Sequence, residues 1–213
     1  MVELHLASRN AKKLEEMQRI LGAHLPGLRL VGLDDVPAYG EPVEDEPTFT
    51  GNALIKARAG AAATGLPTLA DDSGLCVDAL NGMPGVLSAR WSGPPRSDPR
   101  NNELLLAQLA DVPDERRGAH FVCAVACVHP DGRELVVEGR MDGRVIRELR
   151  GSGGFGYDVL FEAADSPGVT TAELSTEDKD AISHRGRALR EIAPQVATLV
   201  SGHSHDQEPM IDS

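Results

Sequence analysis

Cysteine, lysine and long apolar runs are all scarce in this chain, and each scarcity removes a class of protein. Of its 213 residues only three are cysteines, at 76, 123 and 127. So small and odd a number does not build a disulfide framework. If Cys123 and Cys127 share a strand they lie about 13 Å apart, too far to bridge. Reduced core thiols in a cytoplasmic protein are therefore expected. No apolar run approaches the roughly eighteen residues of a membrane span, and no basic segment leads into an apolar one at the N-terminus, so neither span nor signal peptide is expected. Positive charge is also short. The formal net charge of −12 argues against non-specific binding to nucleic acid, since a phosphate backbone needs a broad basic face, and without a span no membrane partner is expected. A free nucleotide needs only a few local cations and a metal.

The lysine shortage is the sharpest of these. The 21 basic residues comprise 17 arginines and four lysines, Lys12, Lys13, Lys56 and Lys179. An ammonium is a compact point charge with rotatable donors, suited to phosphate oxygens. Each of the four falls in a segment that draws attention on other grounds.

Length and a hydrophobic share of 41% fit one domain over residues 1–200, followed by a polar, aperiodic tail, 201–213, expected to be disordered. Val2, Leu4 and Leu6 alternate as in a strand. A polar loop, Ser8 to Lys13, then opens a helix with Leu14, Met17, Ile20 and Leu21 on one face and Gly22 as its stop. Val36 to Pro47 reads as an acidic, proline-rich loop. Thr50 or Asn52 caps an alanine-rich helix ending at Gly65. Leu66 to Ala70 reads as a strand ending in Asp71-Asp72-Ser73-Gly74. Asp98-Pro99 starts a helix through Leu109. His120 to His129, apolar on both faces, is a central strand, turned at Pro130 to Gly132 into a partner at Glu134 to Gly139, and Gly143 to Leu149 continues the sheet. Tyr157 to Phe161 has a strand pattern. Ser175 with Asp178 forms a capping box, and Arg187 to Val200 is a closing helix that Pro194 should kink. This order gives an α/β protein: a mixed sheet, flanking helices, and loops gathered at a cleft.

Five segments carry chemistry. Asn10, Lys12 and Lys13 at a helix start are a plausible triphosphate cradle, although alone they read more plainly as a solvated helix end, and no P-loop pattern occurs in the chain. Glu44 to Glu46 and Asp71-Asp72 offer oxygens to a hard cation. The plainer readings are a solvated acidic loop and an Asx turn, and if the strand continues only one of the adjacent aspartates should face the cleft. Gly151 to Gly156 matches G-x-G-x-x-G, with Glu173 about 22 residues on as in a dinucleotide fingerprint. The strand pattern that follows excludes that reading. These glycines instead let backbone approach a ligand, with Phe155 or Tyr157 as a flat surface for a base. Lys179, His184 and Arg185 cluster near a helix end, where His184 alone reads slightly more readily as a capping or buried structural histidine than as a ligand contact. An aspartyl-phosphate mechanism at Asp72 lacks its usual D-x-D strand end.

Five motifs, in order from residue 2 to about 199, make the chain resemble the inosine triphosphate pyrophosphatase family. They are Leu6 to Lys13, Thr48 to Arg58, Ala70 to Leu75 with Pro84-Gly85 and Ser88 to Arg90, Gly153 to Asp158, and Ile182 to Gly186. The resemblance implies a long mixed sheet with two lobes around a deep cleft, and a homodimer. It also implies hydrolysis of purine nucleoside triphosphates bearing a wrong base (ITP, dITP, XTP) to monophosphate and pyrophosphate, with Mg2+, or Mn2+ as a substitute. By resemblance Asp72 is the proton acceptor and a metal ligand, and Glu44 is the second metal carboxylate. Ser8, Arg9, Asn10, Ala11, Lys12 and Lys13, with Lys56, hold the triphosphate. Ser73, Phe155, Gly156, Tyr157, Asp158, Lys179, His184 and Arg185 hold the nucleotide. Three positions depart from the family pattern: Ser8-Arg9 for Thr-Gly, Val159 for Pro, and Gly51 for an acid, which leaves the number of metal ions open. The alternatives are a pyrimidine-directed pyrophosphatase and a nucleotide-sensing module without turnover. Intact Asp72, Glu44 and Lys13 speak against the sensor.

Overall fold

The computed structural model describes residues 2–201. Ser201 ends the last helix, and the rest of the expected tail lies outside the described residues. β1 (Val2–Leu6) leads through the polar loop into α1 (Ala11–His24), and β2 (Leu28–Val31) lies parallel beside β1. The Asn10 side chain caps α1 by accepting from the Lys13 N–H at 3.2 Å. Gly22 does not stop this helix, which runs on to His24. An interior glycine costs only about 1 kcal/mol, and the buried face of Met17, Ile20 and Leu21 outweighs that.

α2 (Phe49–Thr64) is capped by Thr48, not by Thr50 or Asn52: Thr48 Oγ1 accepts from the Gly51 N–H at 3.0 Å. The earlier cap places Asn52 inside the helix, facing inward, where it is fully buried. β3 (Thr68–Val77) passes straight through the two aspartates without turning. α3 (Asp98–Gln108) is capped by Ser97, one residue before the expected Asp98. β4 (Gly118–Val128) and β5 (Glu134–Val145) form the hairpin; the two pieces expected at 134–139 and 143–149 are one strand that ends at Val145. Tyr157 to Phe161 is not a strand. A single 3-10 turn at Asp158–Leu160 precedes the short β6 (Phe161–Ala163). Asp158 causes the turn, because its carboxylate accepts the Phe155 N–H at 2.8 Å and draws the chain back on itself. α4 (Thr176–Ile182) has the expected Ser175 cap, and α5 (His184–Ser201) begins three residues earlier than expected and accommodates Pro194 within its length.

The sheet order is β2-β1-β3-β4-β5-β6, parallel among the first three strands and antiparallel from β3 to β6. Strand alternation divides the core. Leu69, Cys123, Val125 and Cys127 face α1 and α5, while Ala70, Ala124 and Ala126 face the alanines of α2. β4 is thus covered on both faces, which explains its unbroken apolar run. The small side chains under α2 let that helix approach the sheet closely. A third cluster, around Leu75, Leu105, Phe121 and Leu160, fills the end beneath α3 and β6.

Candidate active site

β1 pairs with β3 only as far as Leu6 opposite Leu69, whereas β3 pairs with β4 along its full length to Val77. Past Leu69 one edge of β3 is therefore open, and a cavity of about 690 Å³ sits against it. That volume suits a nucleotide-sized ligand. Ser8 to Lys13, Glu44, Lys56, Asp72, Ser73, Phe155 to Asp158, Lys179, His184 and Arg185 all line it. Strand alternation alone would turn only one of the adjacent aspartates to the cleft. They do point to opposite faces of β3, but the cavity wraps the open edge and reaches both.

Asp71 faces α1 and α5. Its Oδ2 receives Lys13 Nζ at 2.8 Å and the Arg185 guanidinium at 3.3 Å. Burial alone would raise the proton affinity of this carboxyl; Lys13 and Arg185 outweigh it and hold Asp71 ionised far below the usual carboxylate range. Arg185 is itself only 2% exposed. It donates to Glu16 at 2.8 Å, to Asp71 twice, and to Ser73 Oγ at 3.0 Å. Arg185 thus lines the cavity while spending four hydrogen bonds inside the protein.

Asp72 faces α2. Its Oδ2 accepts from Asn52 Nδ2 at 3.1 Å, and its Oδ1 lies 3.5 Å from Lys56 Nζ, which in turn lies 3.6 Å from Glu44 Oε1. Burial raises the Asp72 pKa; Glu44 adds to the rise, and Lys56 and Asn52 oppose it without cancelling it. Asn52 also clasps the acidic loop, accepting from the Glu46 N–H at 3.1 Å and donating to the Glu46 carbonyl at 3.3 Å. Arg90 holds the same loop through the Glu44 carbonyl at 3.2 Å. The loop that carries Glu44 is thereby fixed to the helix that carries Lys56. Gly51 is explained by the same packing, because a Cβ there would stand 2.7 Å from Glu46 Cβ. Glu44 and Asp72, two carboxylates facing one shared cation, are a fitting donor set for a hard divalent ion that completes its shell with phosphate oxygens and water. Among the described residues no group of three or more His, Cys, Asp or Glu side chains is placed to hold a metal ion, so this pair would depend on phosphate oxygens and water.

The opposite wall is the glycine loop. Gly154 has φ 68°, and a side chain there would run into the Asp158 carboxylate. Asp158 gathers the Phe155 N–H at 2.8 Å, Thr171 Oγ1 at 2.8 Å and Lys179 Nζ at 2.5 Å. Lys12 reaches across from the other wall to the Gly154 carbonyl at 2.8 Å. The Phe155 ring lies under Lys179 and Arg185 at 5.2 and 5.5 Å. Tyr157 is buried instead, its hydroxyl donating to the Ser88 carbonyl at 2.9 Å, so of the two aromatics Phe155 is the one left available as a flat surface. His184 stacks on Phe121 with 4.8 Å between centroids, and its Nδ1 is buried without a hydrogen-bond partner. Burial, reinforced by Arg185 and Lys179, keeps it neutral.

Sequence reasoning missed Glu16, and it gave Asn52 only a capping role and Asp71 only a metal or turn role. It also missed Asn102, whose Nδ2 donates to the Gly156 carbonyl, and assigned Asp98 only to a cap, although its carboxylate accepts the Gly156 N–H. Helical spacing held the signal: Asn52 and Lys56, and Asp98 and Asn102, are pairs four apart on one face.

Comparison with known proteins accords with this geometry. The Ham1 family matches residues 4–195. A "dITP/XTP pyrophosphatase" of Nocardia farcinica is 62% identical over 200 residues, covering 93% of this chain and 97% of the relative. One of Corynebacterium efficiens is 58% identical over 204 residues, covering 93% and 99%. Among solved structures, a dITP/XTP pyrophosphatase from Mycobacterium abscessus superposes with a TM-score of 0.74 at 56% identity, covering 91% of this chain and 100% of that one. A HAM1 protein from Coxiella burnetii gives 0.82 at 40% identity, covering 92% and 99%. The resemblance read from the five motifs is borne out: this chain belongs to the Ham1 family.

Proposed function

We infer that this chain hydrolyses purine nucleoside triphosphates carrying a wrong base (ITP, dITP and XTP) to the monophosphate and pyrophosphate, and so cleans the nucleotide pool. Its relatives' names support the substrate class. The observation that carries the chemistry is Asp72: a carboxyl of raised proton affinity on the open edge of β3, facing Lys56 and Glu44. A raised pKa makes a carboxylate a better base near neutral pH. In this reading Asp72 takes a proton from water as the water oxygen bonds to the α-phosphorus. The bond from that phosphorus to the bridging oxygen breaks, and pyrophosphate leaves between Lys12, Lys13 and the N-terminus of α1. Positive charge there neutralises the leaving group, as phosphoryl-transfer sites require. Glu44 and Asp72 would hold Mg2+, with Mn2+ as a substitute, and the ion would neutralise phosphate charge. Phe155 offers its face to the base, and Lys179 and His184 offer donors to a carbonyl at purine C6. Adenine presents an amino group there, and a donor facing a donor is left unpaired.

The reading extends to a homodimer in the cytoplasm. Its support is the family resemblance and three free cysteines, of which Cys123 and Cys127 have pKa values pushed up to about 12 by burial and are inert. Light scattering tests the dimer. Among the described residues no helix is long and apolar enough to cross a membrane.

Pyrophosphate release from ITP, XTP, dITP, GTP, ATP and dUTP, with magnesium and with excess chelator, tests the function. Fast release from the first three, abolished by chelation, is expected. Preference for dUTP would mean a pyrimidine enzyme, and binding without release would mean a sensor.

A further inference from the structure

Donors at C6 explain why adenine is refused, but guanine shares that carbonyl, so its 2-amino group must be refused elsewhere. The glycine loop is built for this. Every backbone carbonyl from 154 to 157 already accepts a hydrogen bond: Gly154 from Lys12 at 2.8 Å, Phe155 from the Asp158 N–H at 3.3 Å, Gly156 from Asn102 Nδ2 at 2.9 Å, and Tyr157 from the Leu160 N–H at 2.9 Å. Both Asp158 oxygens are engaged as well. Donors are in better supply, since the Lys179 ammonium carries three protons and spends one on Asp158.

The engagement of Gly156 comes from outside the site. Asn102 and Asp98, four residues apart on α3, grip its carbonyl and its N–H at 2.9 and 2.8 Å. Asn102 is 4% exposed, and its Oδ1 is buried with no hydrogen-bond partner. A buried amide with an unpaired oxygen destabilises the fold, and the bond that offsets this cost goes to a backbone atom of the cavity wall. We propose that Asn102 is a specificity-determining residue: by occupying the Gly156 carbonyl it leaves the base wall poor in acceptors, so that an exocyclic amino group, that of guanine above all, finds no full partner. Carbonyl-bearing hypoxanthine and xanthine lose nothing by this. A carbonyl keeps a second lone pair, so the rejection is graded rather than absolute. Asp98 performs the complementary task, withholding the Gly156 N–H.

This inference rests on the reading of the cavity as a site for wrong-base purines, and its test separates the two. The readout is kcat/KM for ITP, XTP, GTP and ATP on the full chain, with melting temperature measured alongside. Asn102→Ala frees the carbonyl, and one regained hydrogen bond should raise the GTP-to-ITP ratio about five- to tenfold. Asp98→Ala, on the exposed first turn of α3, frees a donor instead. It should raise the XTP-to-ITP ratio about threefold and leave GTP-to-ITP unchanged. A purely structural role for Asn102 would lower all four substrates together, and constant ratios in a folded Asn102→Ala overturn the proposal. If that variant does not fold, an unmoved XTP-to-ITP ratio in Asp98→Ala overturns it. Wild-type protein that leaves ITP intact would instead refute the function proposed above.

Discussion

Asp71 and Asp72 are neighbours in sequence and opposites in environment, so replacing each by Asn should have opposite consequences. Asp71 is 2% exposed and sits in a buried network in which Lys13 and Arg185 are balanced by Asp71 and Glu16. Removing one charge from such a set leaves a buried cation under-compensated, which costs about 3–5 kcal/mol. For a chain of this size each kcal/mol is worth roughly 2–4 °C, so Asp71→Asn should melt about 6–20 °C early. Asp72 is the reverse case. Its pKa is raised, chiefly by burial, which means that its charge opposes folding at neutral pH. Asp72→Asn keeps the shape, removes the charge and should leave the melting temperature unchanged or slightly higher. Turnover of ITP should nevertheless fall on the order of a thousandfold, because Glu44, the other carboxyl beside Lys56, sits on the acidic loop and not on the open edge of β3. Scanning calorimetry and steady-state pyrophosphate release on the two variants decide the matter. Equal destabilisation by both, or an Asp72→Asn protein with more than about a tenth of wild-type rate, would refute the division of labour.

Two further outcomes follow from the same geometry. Lys13→Ala and Lys56→Ala should each weaken binding of a triphosphate by about 1.5–3 kcal/mol in titration calorimetry while barely changing binding of the monophosphate, and equal losses on both ligands would remove these lysines from the phosphate tail. Acid stability should reflect His5 and His184, whose pKa values burial holds below the ordinary 6.5. Below pH 6.5 the unfolded chain binds protons that the folded chain refuses, so stability is complete above that value and falls as the pH drops beneath it; His184→Phe should flatten this slope in denaturant titrations from pH 7 to pH 5, and an unchanged slope would count against a neutral buried His184.

What the sequence made legible was chemistry with a local signature. The helix start after the Ser8–Lys13 loop, the capping box at Ser175, the two-sided apolar run of β4 and the converging motif segments depend on residues within a few positions of each other, and all were placed to within a few residues. The strand assigned to Tyr157–Phe161 failed for a reason that is also local, but in three dimensions: Asp158 captures the Phe155 N–H, and five mostly apolar residues cannot reveal that capture. The two aspartates were harder still. Their alternation was foreseeable from strand geometry, and the inference that only one could reach the cleft followed correctly from an intact sheet. The sheet is not intact at that point. β1 leaves β3 after Leu69, because the chain turns from Leu6 into the Ser8–Lys13 loop and α1. That departure opens the edge, admits Lys13 and Arg185 to one face and Lys56 and Glu44 to the other, and gives each aspartate its own cations. Where a parallel strand ends early beside a longer one, the longer strand's next residues are offered to the cleft on both faces. Register between strands far apart in sequence decides this, and no residue in either strand announces it.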